Sequence, residues 1–167
     1  MTRKLPLLLA ASLVFALPSA FAQQPTPTSP APSTSPTSPT YDSELAAKVG
    51  ADDYGMRSYV LVILKTGPTP VPEGEARKAM FAGHFANMER LAEAGKLAVA
   101  GPFTKDPAQW RGLFLFAVDD IEEAKALTAT DPVIVNGEMV AEYHQWYGSA
   151  AVMMIPEIHD RIMPSAP

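Results

Sequence analysis

The chain has 167 residues, no cysteine and a formal net charge of −5. This length allows one main domain, and the lack of cysteine excludes disulfide bonds. No stripe of basic residues is present, so binding to nucleic acid or to an anionic membrane surface is not expected.

The first 22 residues are typical of a cleavable signal peptide. Arg3 and Lys4 give a positively charged start, Leu7–Leu17 is apolar apart from one serine, and Ala20–Ala22 fits the signal-peptidase pattern. The apolar run is much shorter than the roughly 20 residues that cross a bilayer. We expect cleavage before Gln23 and a periplasmic or secreted protein that is not inserted in a membrane. The alternative is an uncleaved anchor.

Residues 23–40 contain six prolines, five threonines and four serines. This composition cannot bury enough apolar surface to fold, so it predicts a disordered linker. A proline-rich recognition motif is the alternative interpretation. Removal of the first 22 residues takes away Arg3 and Lys4 and changes the net charge to −7.

An α+β domain is predicted over 58–147, between an N-terminal extension at 41–57 and a C-terminal tail at 148–167. Apolar patterning and turn residues predict the elements in chain order. The expected elements are a short helix at 42–50, strands at 59–64, 97–100, 113–118 and 139–147, helices at 75–94 and 120–130, and a helical turn at 156–162.

The first long helix has apolar residues at steps of three and four, which predicts a buried face. These residues are Phe81, Phe85, Met88, Leu91 and Ala92. The order strand, helix, strand, strand, helix, strand indicates a ferredoxin-like βαββαβ fold. This fold has a four-stranded antiparallel sheet, the first and third strands at its centre, and two helices on one face.

The first and third strands are apolar at both odd and even positions. Tyr59, Leu61 and Ile63 alternate with other apolar residues, as do Leu113 and Leu115. Strands of this type are buried on both faces, yet two helices cover only one. We therefore expect the second face to pack against an identical subunit in a homodimer. The alternative is that the tail or the 42–55 segment covers it.

Three residues are candidates for a site, and each has a structural alternative. His84 lies near the core side of its helix and could be a hydrogen-bonded structural histidine. Arg77, two turns earlier, could line a pocket for an anion or extend to solvent. Asp131 precedes Pro132, which is the arrangement of a helix N-cap.

Other patterns exclude several classes of site. His144 alternates with Glu142 on the last strand, but three histidines without a metal-binding spacing do not predict a metal centre. The phosphate-binding loop, the dinucleotide-binding fingerprint and the nucleophile-elbow motif are all missing. No cofactor is expected, and Gly101-Pro102 alone would be an ordinary turn.

Taken together, His84, Gly95-Lys96-Leu97, Ala100-Gly101-Pro102 and Asp131-Pro132 resemble the YCII-related domain family over about residues 58–147. The resemblance implies a dimeric α+β barrel, in which two sheets pack face to face. It also implies a small-molecule cleft with a catalytic pair at His84 and Asp131. We expect Gly101 and Pro102 of the shared motif to contact the substrate, together with Arg77 from its place on the helix of His84. At least one member of this family removes chloride from a chlorinated, hydroxylated aromatic ring.

Three functions follow as hypotheses. The first is an acid/base enzyme of the lyase or hydrolase type, in which His84 moves a proton and Asp131 orients its ring. The second is a non-catalytic module that holds a ligand outside the cytoplasm. The third, by analogy of fold alone, is an oxygenase without a cofactor.

Overall fold

The computed structural model describes residues 40–164. The predicted signal peptide and all of the predicted linker except Thr40 lie outside the described residues. The described residues 40–164 belong to one compact unit. None of the helices among residues 40–164 has both the length and the apolar character needed to cross a membrane.

Four strands and five α-helices make up the described unit. The strands are β1 Met56–Thr66, β2 Leu97–Pro102, β3 Trp110–Phe116 and β4 Met139–Ser149. The helices are α1 Ser43–Val49, α2 Glu75–Glu93, α3 Ile121–Thr128, α4 Pro132–Val135 and α5 Ile155–Ile162, with a 3-10 helix at Ala150–Met154 before α5. The turn Pro132–Val135 was not predicted as a separate helix.

The four strands form one antiparallel sheet in the order β2-β3-β1-β4, which confirms the predicted topology with β1 and β3 at the centre. Strand β1 is longer than predicted because it pairs with β4 along its whole length, from Met56 opposite Ser149 to Thr66 opposite Met139. The predicted fold class, a ferredoxin-like α+β sheet with its helices on one face, is therefore correct.

The main core lies between the sheet and helices α2, α3 and α4. Val60, Val62 and Phe116 on the sheet are fully buried against Leu91 of α2 and Val133 of α4. Burial of this kind contributes about 25 cal/mol for each Å² of apolar surface removed from water. This core fixes the positions of α2 and α4 relative to each other.

The buried face of α2 differs from the predicted one. The residues buried on this helix are Met80, His84, Asn87 and Leu91, whereas Phe85 is 61% exposed. The prediction is partly right, since Leu91 is buried and Phe81, Met88 and Ala92 pack against the core. His84 is buried because Asp131 binds its ring. Asn87 is buried with only its Oδ1 bonded, by Arg90 and Thr130, whereas its Nδ2 has no partner among the described residues. The aromatic residues are thereby left beside the sheet edge, where they line a cleft described below.

The second face of the sheet is partly covered by the chain's own tail. Val152 and Met153 of the 3-10 helix pack against Tyr59, Ala98 and Leu115. The Tyr59 hydroxyl donates a hydrogen bond to the Ser149 carbonyl at 2.9 Å, which holds the end of β4 against this surface. The tail thus acts as the predicted alternative cover for this part of the face.

The other part of the second face remains accessible in the single chain. Leu61 and Leu113 are only half-buried, and Trp146 is 41% exposed although its ring packs on Tyr59 with a centroid separation of 5.4 Å. The homodimer therefore stays a prediction, and the surface available to it is smaller than the strand pattern alone suggested.

Candidate functional site

His84 lies in the middle of α2 and points into the space between the helix and the sheet. Its ring is surrounded by Phe81, Phe85 and Phe114, at centroid distances of 6.1, 5.4 and 5.9 Å. The residue is only 8% exposed. A titratable ring in such an apolar setting needs a polar partner, because an unpaired buried polar group costs free energy.

Asp131 supplies that partner from the junction between α3 and α4. The preceding helix cannot continue through it, because the residue before a proline is pushed out of helical geometry. Its carboxylate accepts a hydrogen bond from the Val133 backbone N–H at 3.1 Å and so caps α4, with Pro132 in the first turn. The side chain is completely buried.

The two residues form a close pair across 47 positions of sequence. Nδ1 of His84 lies 2.8 Å from Oδ2 and 3.0 Å from Oδ1 of Asp131. These are hydrogen-bond distances, so Asp131 is both a helix cap and the histidine's partner. A carboxylate only accepts hydrogen bonds, so a hydrogen bond to it places the hydrogen on Nδ1, which leaves Nε2 as the nitrogen directed away from Asp131.

A glycine allows the two helices to approach closely enough for this contact. A Cβ atom at Gly83 would lie 3.0 Å from Cγ of Pro132, which is tighter than normal packing. Gly83 precedes His84 and Pro132 follows Asp131, so their contact lies directly beside the pair. Gly83 was not predicted as part of the site, because a glycine within a helix gives no signal of its own.

A small hydrogen-bond network holds the segment that carries Asp131. Oδ1 of Asn87 accepts hydrogen bonds from Nη2 of Arg90 at 2.7 Å and from the Thr130 hydroxyl at 3.0 Å. Arg90 also donates to the Thr130 hydroxyl at 3.1 Å. Asn87 therefore ties α2 to the residue before Asp131, one helical turn beyond His84.

His84 faces a cleft of about 340 Å³ between α2 and the sheet. This volume is in the range of small-molecule sites, roughly 300–1,000 Å³. Its aromatic lining residues are Phe81, Phe85, Phe103 and Phe114. The predicted contacts Gly101 and Pro102 line the same cleft, together with His84 and Arg111. The structure thus brings three of the five predicted site residues to one cleft, with Asp131 directly behind the histidine.

Arg77 is placed differently from the prediction, since it is not among the residues that line this cleft. Its Nη2 atom lies 2.8 Å from Oε1 of Glu138, Nε lies 3.2 Å from Glu73, and Nη1 donates to the Val71 carbonyl at 2.8 Å. The hydrogen bond with Glu138 raises the pKa of Arg77. The positive charge of Arg77 is therefore neutralised by carboxylates of the protein itself, and this is why Arg77 does not line the cleft as predicted.

Glu138 was missed because a glutamate at the start of a strand is usually solvated. It is only 1% exposed, and its Oε2 accepts a hydrogen bond from the Val71 N–H at 2.7 Å. The hydrogen bond from Arg77 lowers the pKa of Glu138 and outweighs the effect of burial, which raises it. Arg111, also missed, lies beside the same carboxylate and lines the cleft.

The remaining charged clusters offer weaker candidates. His144 lies on the other sheet face, where its Nε2 is 2.7 Å from Glu142. Within residues 40–164, no group of three or more potential metal ligands lies together. A second cavity of about 490 Å³ is open to solvent, and the amine of Lys96 in its lining is paired with Glu123 at 2.8 Å.

The fold and the site define a class: a small α+β sheet domain with a buried His–Asp pair beside an aromatic cleft. Residues 58–146, more than half of the chain, match the YCII-related domain. The chain therefore belongs to the YCII-related domain family, as its motifs indicated. A search of curated proteins finds no match.

Among solved structures, the chain is similar to 5-chloro-2-hydroxyhydroquinone dehydrochlorinase from Burkholderia phenoliruptrix AC1100, in complex with 2,5-dihydroxybenzoquinone. The sequence identity is 22%, the TM-score is 0.40, and the match covers 53% of this chain and 92% of that one. The family assignment here rests on the sequence match, and the description of the fold rests on the chain's own structure.

Proposed function

We propose that this domain binds a small organic molecule in the His84 cleft and that the His84–Asp131 pair moves a proton on it. The observation that carries the proposal is the asymmetry of the two ring nitrogens. Nδ1 is held by a completely buried carboxylate, whereas Nε2 has no hydrogen-bond partner among residues 40–164. The ring itself lines the cleft, as a general base requires.

The chemistry follows from this arrangement. Nε2 of neutral His84 accepts a proton from an acidic group of the bound molecule, which retains the electron pair. The imidazolium that forms is stabilised by the adjacent carboxylate of Asp131, which stays ionised. The same proton then passes to the leaving group, which completes an elimination of the lyase type. In a reaction of the hydrolase type, the proton that His84 accepts comes from the attacking water, whose oxygen forms the new bond as the leaving group departs with that proton.

The aromatic lining favours a flat substrate. The rings of Phe85 and Phe114 lie 5.4 and 5.9 Å from the His84 ring, and aromatic side chains stack well on planar rings. A small hydroxylated aromatic compound supplies both a planar ring and an acidic hydroxyl group. We propose this class of substrate for the site.

The test begins with native mass spectrometry of the purified protein, to detect a co-purified small molecule. Candidate compounds are then assayed for turnover by the wild type, by His84→Ala and by the surface control His159→Ala, with thermal unfolding measured for each. Turnover lost only in His84→Ala supports the acid/base enzyme. Unchanged turnover in His84→Ala contradicts it, and tight binding without any turnover favours the ligand-binding module instead.

We further propose that the protein is exported and dimeric. The export proposal is supported by the signal-peptide pattern of the first 22 residues, and N-terminal sequencing should find Gln23 first.

The dimer proposal is supported by the accessible apolar part of the second sheet face, where Trp146 is 41% exposed. Sedimentation should then give twice the mass of the mature chain, whereas a monomer at micromolar concentration contradicts the proposal.

A further inference from the structure

Arg111 brings a positive charge to the cleft that the proposed proton transfer does not yet use. It lies in β3, lines the cleft together with His84, and its side chain is 29% exposed. Its Nη1 and Nη2 atoms lie 3.5 and 3.4 Å from Oε1 of Glu138. Both distances are long for a charge-assisted hydrogen bond, which is usually about 2.7–2.9 Å.

The short hydrogen bonds of Glu138 are made by other groups. Its Oε1 is 2.8 Å from Nη2 of Arg77, and its Oε2 is 2.7 Å from the Val71 N–H. Arg77 also has Glu73 as a second carboxylate partner. Two guanidinium groups thus share one buried carboxylate, and Arg111 on the cleft side is the less well neutralised of the two.

The rest of the cleft lining contains no acidic residue among the described part of the chain. The residues around Arg111 there are aliphatic, aromatic or glycine, apart from His84. A cation in such a setting attracts an anion more strongly than one in open water, because the surroundings screen the charge less. Arginine is also weakly hydrated and suited to binding an oxygen anion.

From this arrangement we propose that the cleft recognises an aromatic oxyanion. The ring packs among the phenylalanines, and the guanidinium of Arg111 binds the negatively charged oxygen. This inference rests on the proposed function: when His84 takes the proton from an aromatic hydroxyl, the oxygen keeps the electron pair and Arg111 stabilises it. Glu138 then competes with the ligand for Arg111, although it does not touch the ligand itself.

The probe for this proposal is para-nitrophenol, whose hydroxyl ionises near neutral pH with a change in visible absorbance. Its neutral analogue para-nitroanisole has a methoxy group in place of the hydroxyl. Wild-type protein should bind the ionised phenol more tightly than the anisole and should lower the pKa of the bound phenol. Arg111→Gln should weaken binding of the phenolate about tenfold or more, with little change for the anisole.

Three further variants separate the possible causes. Lys78→Gln makes the same change in charge at a lysine whose side chain is 75% exposed, and it should leave both affinities unchanged. Arg111→Lys should retain part of the preference for the anion. Glu138→Gln removes the carboxylate that competes for Arg111, so phenolate binding should become tighter.

The outcomes distinguish failure of this inference from failure of the proposed function. If Arg111→Gln binds the phenolate as tightly as wild type while His84→Ala binds it less tightly, the cleft is the site but the assignment to Arg111 is wrong. If the wild type binds neither compound, or if neither variant alters binding, both the inference and the proposed function are overturned.

Discussion

Replacement of Asp131 by asparagine should reverse the tautomer of His84 while the fold is kept. Asparagine has nearly the same shape, so its side-chain oxygen can still accept the Val133 N–H that Asp131 binds at 3.1 Å. Its amide group then points a donor at Nδ1 of His84, which must become the acceptor. The hydrogen moves to Nε2, and the histidine can no longer act as a base toward the cleft.

The expected magnitudes differ strongly between stability and activity. The cap is retained, and one hydrogen bond to a charged group is exchanged for a neutral one, so unfolding should become easier by about 1–2 kcal/mol. A base in the wrong tautomer should lower the turnover rate by about three to four orders of magnitude. Loss of a cap alone would have no such effect on turnover.

The direct assay is nitrogen NMR of the histidine rings, which reports the tautomer without any knowledge of the substrate. Asp120→Asn is the matched control, because Asp120 caps α3 through a 3.0 Å hydrogen bond from Glu122 N–H and is exposed. The wild type and this control should both show His84 protonated at Nδ1, and Asp131→Asn should show it at Nε2. An unchanged tautomer in Asp131→Asn, or unchanged turnover, would refute the reasoning.

Three further predictions concern the packing of α2 on α4, the buried carboxylate of Glu138 and the two faces of the sheet. Gly83→Ala gains about 1 kcal/mol of helix propensity but places Cβ 3.0 Å from Pro132. Enzyme activity should therefore fall while the melting temperature changes little. A variant that is more stable and fully active would contradict this prediction. Glu138 has a lowered pKa in the folded state. The stability that it gives the fold is therefore present above the usual glutamate pKa and is lost as the pH falls through the folded-state pKa. In Glu138→Gln, the free energy of unfolding should depend less on pH between these two pKa values. Leu115→Asp and Phe116→Asp should both destabilise, with Phe116→Asp losing about 3–5 kcal/mol of packing; a neutral effect of Leu115→Asp in thermal unfolding would show that the tail does not bury it.

The local pattern of the sequence determined the sheet and its order. Strand β1 is apolar at every position from Tyr59 to Leu64, and this predicts a central strand whatever the rest of the chain does. The ends of the helices are also determined by neighbouring residues. Gly95, for example, has the positive φ of 67° that is expected just after the end of α2. Such features depend on neighbouring residues only, so they can be read before the fold is known.

The tertiary structure decided which polar residues meet. The pattern gave His84 and Asp131 equally good structural alternatives, and only the packing of α2 on α4 brings Nδ1 within 2.8 Å of the carboxylate. The buried face of α2 differs in part from the prediction, because the hydrogen bond with Asp131 holds His84 inside while Phe85 is left 61% exposed. A local sequence pattern cannot show which side chain is buried when the deciding hydrogen bond comes from a distant segment.

The same reason separates Arg77 from Arg111. The sequence favoured Arg77 because it lies two turns before His84 in the same helix. The choice depends on Glu138, which approaches Arg77 to 2.8 Å and Arg111 only to 3.4 Å. The sequence by itself therefore determined the elements and their order, whereas the tertiary structure decided which charge faces the cleft, because ion pairing depends on distances between segments far apart in the chain.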